Sequence, residues 1–219
     1  MFKLKDKDVV LFQGDSITDG NRGRSTDPNH IHGHGYQYIL ASEMYADNVC
    51  VDFEVVNKGI SGNRISDLYG RWKEDCLNLK PTVLSILIGI NDIYGNFLCG
   101  NGSDAERFRK IYHLMLDEAL EINPDLLIVI MEPFFGTAKD NSELDKYAKE
   151  QIGSFALASK EIAKEYNAVF VPLQDLFDDY AKKTDVYKLI WDGVHPTTCG
   201  HQLIARRWKE CVESKLNTR

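Results

Sequence analysis

The chain of 219 residues is 43% hydrophobic and 27% charged, proportions typical of a globular protein, and this composition excludes extensive disorder. Its net charge of −7 argues against nucleic acid as a partner, because phosphate binding needs a basic surface. No apolar run approaches the roughly 18 residues that a membrane-spanning helix needs, so no membrane partner is expected.

The N-terminal segment and the cysteines favour a cytoplasmic protein. Residues 1–8 are rich in charge, and no apolar stretch of signal-peptide length follows them. The five cysteines are an odd number and lack the spacing of a zinc site, which is typical of reduced thiols.

The hydrophobic patterns predict strands that alternate with helices. In chain order these are strand 9–13, helix 36–47, strand 51–57, helix 65–79, strand 83–88, a helix with its apolar stripe over 108–120, strand 126–131, helix 142–166, strand 168–171 and helix 198–216. The third and fourth strands are almost wholly apolar, as expected of parallel strands covered on both faces. The alternation predicts an α/β fold, a three-layer sandwich with a parallel sheet of about five strands and helices on both faces, in a single domain over residues 1–219.

The first strand ends at Gly14-Asp15-Ser16, which places a serine on a turn at the carboxyl end of a buried strand. Open parallel sheets present their ligands at this edge, so Ser16 is a candidate nucleophile. Residues 19–35 then form a long, polar, glycine-rich stretch without periodicity, and such loops often line a site. An ordinary turn followed by a helix cap would use the same residue types.

Near the other end of the chain, Asp192 and His195 stand three residues apart in a predicted turn. That spacing lets the carboxylate reach Nδ1 of the imidazole while Nε2 faces a hydroxyl, so with Ser16 they supply the parts of a catalytic triad. The order Ser, Asp, His is that of α/β-hydrolases, although the Gly-x-Ser-x-Gly elbow of that fold is missing. A surface turn with a solvated aspartate is the alternative interpretation.

Two further loops are expected at the same sheet edge. Residues 57–63 follow the second strand and contain two glycines, whose N–H groups can point at a substrate carbonyl without a Cβ in the way. Residues 89–92 follow the third strand and include Asn91, whose amide is a donor that does not titrate. Either loop alone is typical of a turn, but four loops at one edge with these residue types favour acyl transfer.

Together the four segments resemble the signature blocks of the SGNH (GDSL-type) hydrolase superfamily. The blocks are Gly14-Asp15-Ser16-Ile17, Asn57…Gly59…Gly62, Gly89-Ile90-Asn91-Asp92 and Asp192…His195, in the order of the superfamily and across almost the whole chain. The resemblance implies the flavodoxin-like SGNH hydrolase fold and a triad of Ser16, Asp192 and His195. It also implies an oxyanion hole made of the N–H groups of Ser16 and Gly62 and the side chain of Asn91.

Longer stretches are similar to the intracellular acetylxylan esterase branch, namely residues 14–19, 35–36, 56–63, 88–92 and 191–196. That branch implies a serine esterase that removes acetyl groups from xylo-oligosaccharides or related sugars through an acyl-enzyme, without a metal or cofactor and often as a homo-oligomer. Trp191, beside Asp192, is the first candidate for a wall of the sugar site, because aromatic faces suit sugar rings. Asp15 and Tyr94 are further candidate substrate contacts.

Two alternatives remain open at this point. A thioesterase or lysophospholipase could use the same fold, although no long apolar lid is visible and the 19–35 loop is polar. A non-catalytic flavodoxin-like module for a nucleotide or flavin is the alternative from another class, but no phosphate-binding glycine motif follows a strand. The alternating histidines 30, 32 and 34 have no partner at a recognisable zinc spacing, so no metal site is predicted there.

Overall fold

A parallel sheet forms the centre of the computed structural model, which describes residues 3–136 and 142–217. Its strands are β1 (Val9–Gly14), β2 (Glu54–Asn57), β3 (Val83–Leu87), β4 (Leu127–Met131) and β5 (Val169–Val171), in the spatial order β2-β1-β3-β4-β5. Every neighbouring pair is parallel. The predicted α/β class and the five predicted strands are confirmed.

Helices cover both faces of the sheet. They are α1 (Ser16–Asp19), α2 (Tyr36–Asp47), α3 (Ile65–Gly70), α4 (Trp72–Asp75), α5 (Ile90–Cys99), α6 (Ala105–Ile122), α7 (Glu143–Glu165), α8 (Gln174–Ala181) and α9 (Thr198–Asn217). The chain adds β2 on one side of β1 and then adds β3, β4 and β5 in turn on the other side. Right-handed crossovers therefore place α2 on one face of the sheet and α3, α6 and α7 on the other. Helix α9 returns to pack against α2. Within the described residues, none of these helices is long and apolar enough to cross a bilayer.

The core lies between the sheet and its two helical layers. All positions of β3 and β4 are buried, as their nearly continuous apolar sequence predicts. Ser85 is a polar exception inside β3, and its Oγ accepts a hydrogen bond from the indole N–H of Trp208 at 3.0 Å. This contact joins α9 to the sheet and satisfies two polar groups that are cut off from water.

The structure corrects the prediction of one helix over residues 65–79. The segment is divided into α3, α4 and a 3₁₀ turn (Leu77–Leu79), with Arg71 at the break in a non-helical conformation (φ −115°, ψ 12°). Gly70 has a low helix propensity, which favours a break at this point. Trp72 then begins α4, and its indole N–H donates to the Met115 carbonyl at 2.9 Å.

Smaller differences have simple causes. Strand β2 begins at Glu54 rather than at residue 51, because Val9, the first residue of β1, pairs with Glu54 and leaves the earlier residues without a partner strand. Helices α5 and α8 were not predicted. Helix α5 contains Asn91, Gly95 and Asn96, residue types of low helix propensity.

The sheet register places the loops of interest at one edge. Phe12 of β1 aligns with Asn57 at the end of β2, and Gly14 aligns with Leu87 at the end of β3. The segments that follow β1, β2 and β3 therefore leave the sheet side by side. This edge includes the point between β1 and β3 where the strand order changes direction, which is where open α/β sheets bind ligands.

Candidate active site

Ser16 begins helix α1 directly after a sharp exit from β1. Gly14 has φ +159°, and a Cβ there would lie 2.4 Å from the carbonyl oxygen of Leu87 and 2.4 Å from Thr18 Oγ1. Only glycine fits this position, because the chain passes tightly between β3 and its own helix. The turn leaves the Ser16 side chain half-exposed while the residues on either side are buried.

Asp15 does not occupy the position expected of a substrate contact. It is 1% exposed, and its Oδ1 accepts the N–H of Ile17 at 3.0 Å, so it caps helix α1 from inside. Burial raises the pKa of this carboxyl to about 7. The sequence could not distinguish the two orientations, because a cap and a substrate contact use the same residue type at the same turn.

The predicted triad residues form a continuous chain of hydrogen bonds. Ser16 Oγ lies 2.8 Å from His195 Nε2, and His195 Nδ1 lies 2.7 Å from Asp192 Oδ2. A carboxylate at Nδ1 favours the tautomer with its proton on that nitrogen, which leaves Nε2 free to accept the serine proton.

Asp192 is held as an anion by hydrogen bonds. Its Oδ1 accepts the backbone N–H groups of Val194 at 3.0 Å and His195 at 2.7 Å, while Oδ2 faces the imidazole. Partial burial alone would raise its pKa, but these hydrogen bonds outweigh burial and hold the pKa below its usual value.

We call residues 191–196 the base loop. The N–H of Trp191 donates to the His195 carbonyl at 3.1 Å, and the N–H of Gly136 donates to the Gly193 carbonyl at 2.7 Å. Gly193 has φ +93°, a conformation that favours glycine. The base loop is therefore closed on itself and tied to the segment that follows β4.

Trp191 is the most open side chain of the base loop. It is 62% exposed, and its ring stacks on that of His195 with centroids 6.2 Å apart and planes 26° apart. One face of the indole is thus turned toward the imidazole, and much of the remaining indole surface is open to solvent.

Gly62 lies in a turn of residues 60–63, which we call the Gly62 turn. The N–H of Asn63 donates to the Ile60 carbonyl at 3.1 Å, and Gly62 has φ +81°, as position i+2 of a type II turn requires. A Cβ at Gly62 would meet no atom within 4 Å, so glycine is needed here for its backbone conformation rather than for space.

The second predicted oxyanion donor contacts this turn. Asn91, in the first turn of α5, donates through Nδ2 to the Asn63 carbonyl at 3.2 Å. This hydrogen bond fixes the orientation of the amide and leaves a second N–H on the same nitrogen. Among the described residues no acceptor takes that second N–H, so it can serve a substrate oxygen.

Two buried polar side chains beneath these loops received no role from the sequence. Asn57 donates through Nδ2 to the carbonyls of Thr18 at 2.8 Å and His32 at 3.1 Å, and its Oδ1 accepts the N–H of Gly59 at 2.9 Å. The other is Asp19, whose contacts with the Gly62 turn are described below. The available signal was the position of Asn57, a polar residue that follows two valines at the carboxyl end of β2.

Tyr94 lies half-buried on α5. Burial, followed by the negative charges of Asp145 and Asp192, raises the pKa of its phenol to about 12. The phenol therefore stays protonated at neutral pH, close enough to Asp192 to sense its charge. Its contact with a substrate stays a prediction.

The three alternating histidines lie in turns over residues 28–34 rather than in an extended segment. His32 is 8% exposed and packs against Tyr45, and burial lowers its pKa. His30 is exposed and its Nε2 lies 3.8 Å from Asp27. In the described part of the chain, no three histidine, cysteine, aspartate or glutamate side chains are grouped to hold a metal.

Known proteins match this chain over nearly its full length. Residues 12–203 match the model of the GDSL-like lipase/acylhydrolase family. An acetylxylan esterase from Geobacillus stearothermophilus is 34% identical over 215 residues, which cover 93% of this chain and 93% of that protein.

Solved structures share the same architecture. A protein from Parabacteroides merdae ATCC 43184, described as a GDSL-like lipase, superposes with a TM-score of 0.88 at 34% identity, covering 96% of this chain and 98% of that one. A mutant of an acetyl-xylooligosaccharide esterase from Geobacillus superposes with a TM-score of 0.83 at 31% identity, covering 96% of each chain.

Proposed function

We propose that this chain, which belongs to the GDSL-like lipase/acylhydrolase family, is a serine esterase that removes acetyl groups from xylo-oligosaccharides or related sugars. The family predicted from the four sequence blocks is confirmed, and with it the class of carboxylic ester hydrolases. The residue roles, the order of the steps and the sugar are what we propose beyond that class.

One observation carries the mechanism. Ser16, His195 and Asp192 form a continuous hydrogen-bonded chain, with Ser16 Oγ and His195 Nε2 2.8 Å apart although 179 positions separate them in the sequence. A serine hydroxyl is a weak nucleophile until a base takes its proton, and this distance allows direct transfer.

In the first half-reaction, His195 Nε2 takes the Ser16 proton while Oγ forms a bond to the acetyl carbonyl carbon. The carbonyl π electrons move to its oxygen, and Asp192 stabilises the imidazolium. The tetrahedral intermediate then collapses and the bond to the sugar oxygen breaks. His195 returns its proton to that oxygen, so a sugar hydroxyl leaves and an acetyl-serine remains.

Water completes the second half-reaction by the same steps. His195 takes a proton from the water as its oxygen attacks the acetyl carbon, and the proton then passes to Ser16 Oγ as the ester bond breaks. Acetate leaves and the free serine is restored. Atoms and charge balance over the cycle without a metal or cofactor.

The negative oxygen of both intermediates needs fixed donors. We assign the N–H groups of Ser16 and Gly62 and the free N–H of Asn91 Nδ2 to that role. The contact of 3.2 Å between Asn91 and the turn that carries Gly62 supports it, because this contact links two of the donors before substrate arrives.

The sugar assignment rests on the acetylxylan esterase relative and on Trp191. An indole that is 62% exposed beside the base offers a flat apolar face, which suits the C–H face of a pyranose ring. Tyr94 is the second candidate wall.

A cytoplasmic location and a homo-oligomeric state are part of the same proposal. All five cysteines are free thiols, which fits a reducing compartment. Sedimentation velocity of the purified protein tests the assembly, and a mass equal to the monomer would contradict it.

Acetate release from acetylated xylo-oligosaccharides tests the proposed function. We expect release by the parent protein and none by Ser16→Ala. The alternative acyl hydrolases are separated by p-nitrophenyl esters of increasing length, for which we expect the rate to fall from acetate to octanoate to palmitate. Preference for palmitate would contradict the sugar esterase.

A further inference from the structure

We propose that Asp19 is a positioning residue that holds the Gly62 turn against the helix of the nucleophile and so keeps the oxyanion donors aligned with Ser16. The inference rests on the proposed role of the Gly62 N–H. It goes beyond that role, because within the described residues the hydrogen bonds of the Asp19 side chain run to Arg22, Arg24 and Ser61 and not to the triad.

The Asp19 carboxylate is buried and its acceptor positions are in use. Oδ2 accepts the N–H of Ser61 at 3.0 Å, the hydroxyl of Ser61 at 3.3 Å and Nη2 of Arg24 at 2.7 Å. Oδ1 accepts the N–H of Arg22 at 3.2 Å and Nη1 of Arg24 at 3.2 Å. The side chain is only 5% exposed, so water cannot readily replace these donors.

The carboxylate joins the two halves of the proposed oxyanion hole. Asp19 is the last residue of α1, the helix that Ser16 begins. Its partner Ser61 immediately precedes Gly62, so the bonded N–H is one peptide away from the proposed donor. The N–H of Ile60 also ties the start of the turn to the carbonyl of Gly14 at 3.1 Å, so the Asp19 side chain fixes the next residue, the one that precedes Gly62.

The backbone of the segment before the Gly62 turn packs closely against the end of α1. A Cβ at Gly59 would lie 2.3 Å from the backbone nitrogen of Asp19, so the segment leading into the turn lies directly against α1. A Cβ added at Gly62 would meet no atom within 4 Å, so no neighbouring group packs against that side of the turn. Asn63 is tied by Asn91 and by Nε of Arg71, but among the described residues the Ser61 N–H is tied only by Asp19.

Charge explains why Arg24 accompanies the carboxylate. A bare anion near the oxyanion hole would oppose the negative charge that develops on the substrate oxygen. The ion pair of Arg24 with Asp19, at 2.7 Å, offsets that charge while leaving the hydrogen bonds to Ser61 in place. Burial alone would raise the pKa of Asp19, but the hydrogen bonds from Arg24, Ser61 and Arg22 outweigh it and lower the pKa.

The first test is Asp19→Asn with p-nitrophenyl acetate as substrate and active sites counted with a fluorophosphonate probe. The asparagine side chain replaces one acceptor oxygen with an NH₂ group, which cannot accept the hydrogen bonds that Ser61 and Arg24 donate to the carboxylate. The Gly62 turn or the Arg24 side chain must therefore shift. We expect kcat per titrated site to fall about 10–100-fold with KM within about twofold. An unchanged kcat, or a loss confined to KM, would overturn the proposal.

A transition-state analogue separates positioning from general damage to the fold. A boronic acid forms a tetrahedral adduct with the active serine and places an oxygen where the oxyanion would be. We expect its Ki to rise by the same factor by which kcat/KM falls. A variant that is only less stable would lose titratable sites but keep the parental Ki, and that result would overturn the proposal.

Asp27→Asn is the matched control. Asp27 lies in the same loop, is exposed, and accepts the N–H of Asn29 at 2.9 Å without contacting the Gly62 turn. We expect parental kcat and Ki. A loss equal to that of Asp19→Asn would show that any carboxylate of the loop has this effect, which would overturn the specific role of Asp19.

Ser61→Pro tests the same link from its other end if Asp19→Asn folds too poorly to assay. Proline is favoured at position i+1 of a type II turn, so the turn conformation is kept while the N–H that Asp19 accepts is removed. We expect the same rise in the boronic acid Ki, and a parental Ki would overturn the proposal. None of these assays uses a sugar, so they remain decisive even if the xylo-oligosaccharide assignment fails.

Discussion

The two sides of the site are held in opposite ways. On the side of Ser16, the polar residues Asp15, Thr18, Asp19 and Asn57 are between 0% and 5% exposed. Their side-chain hydrogen bonds run to α1, the Gly62 turn, the loop before α2 and Tyr36 of α2. In the base loop the side chain of Asp192 is 29% exposed and that of His195 is 39% exposed, and most of their contacts lie within the loop.

This contrast follows the chemistry that each side is proposed to perform. Donors that stabilise a developing charge are effective when they are fixed before the reaction, because no free energy is then spent on reorienting them. A base must instead exchange protons with the substrate and with water, which requires access. We call the buried part around Ser16 and the Gly62 turn the rigid side, and the base loop the open side. Variants on the two sides should differ in the size and kind of their effect.

The largest effect is expected at the point where the two sides meet. Ser16→Ala or His195→Ala removes one end of the 2.8 Å contact, and kcat for p-nitrophenyl acetate should fall on the order of 10⁴–10⁶-fold. The double variant should be little worse than either single one, because the residues act as a unit. Multiplicative losses would show that Ser16 and His195 work separately.

Asn91→Ala probes the rigid side alone. It removes one proposed oxyanion donor and the 3.2 Å contact with Asn63, so kcat should fall about 10²–10³-fold with little change in KM. Steady-state kinetics with p-nitrophenyl acetate measures both constants. A kcat within threefold of the parent would remove Asn91 from the site.

Asp15→Asn tests the burial of the rigid side through the pH dependence of the free energy of unfolding. Because burial raises the pKa of Asp15 to about 7, the folded state keeps a proton between about pH 4 and pH 7 that the unfolded chain releases. The contribution of Asp15 to the free energy of unfolding therefore falls as pH rises through this window, by up to about 1.4 kcal/mol per pH unit.

Asparagine keeps an oxygen for the Ile17 N–H and does not titrate. The stability of the variant relative to the parent should thus rise from about pH 4 to about pH 7 and level off above it. Urea unfolding at several pH values measures the difference. A difference independent of pH would contradict a buried, desolvated carboxyl at position 15.

The smallest effect is expected on the open side. Trp191→Ala removes an exposed face but no group that takes part in proton transfer, so KM for acetylated xylo-oligosaccharides should rise several-fold, corresponding to about 1 kcal/mol. With p-nitrophenyl acetate kcat should stay within about threefold, whereas an equal loss on both substrates would indicate that Trp191 supports His195 rather than a sugar.

Sequence patterns were sufficient where one local rule decides the outcome. The apolar runs located all five strands to within three residues, and the end of the first strand singled out Ser16. Asp192 and His195 were singled out by their spacing of three residues and by the resemblance to SGNH hydrolases. The structure brings these three side chains together, and their catalytic roles stay predictions until the variants are assayed.

Sequence patterns were insufficient where a long-range contact decides the outcome. Asp15 is a local exception: its carboxylate caps the N–H of Ile17, two residues on, and the residue type alone does not distinguish this cap from a substrate contact. The bond of Asp19 to Ser61 joins residues 42 positions apart, and neither residue type is unusual in a loop. The division of the predicted 65–79 helix accompanies the hydrogen bond from the Trp72 indole N–H to the Met115 carbonyl on α6, a residue 43 positions away.

Most hydrogen bonds of the base loop run within it, with links outward to Gly136 and to Ser16, and this has a consequence for how the protein loses activity under stress. Gly193, Val194 and Pro196 are buried, but Trp191, Asp192 and His195 are at least partly exposed. Partly exposed segments open at a lower free-energy cost than a fully buried sheet, so partial opening at residues 191–196 can precede cooperative unfolding. Enzymatic turnover should therefore disappear at urea concentrations where circular dichroism still reports intact helices, and it should return on dilution without a slow refolding phase.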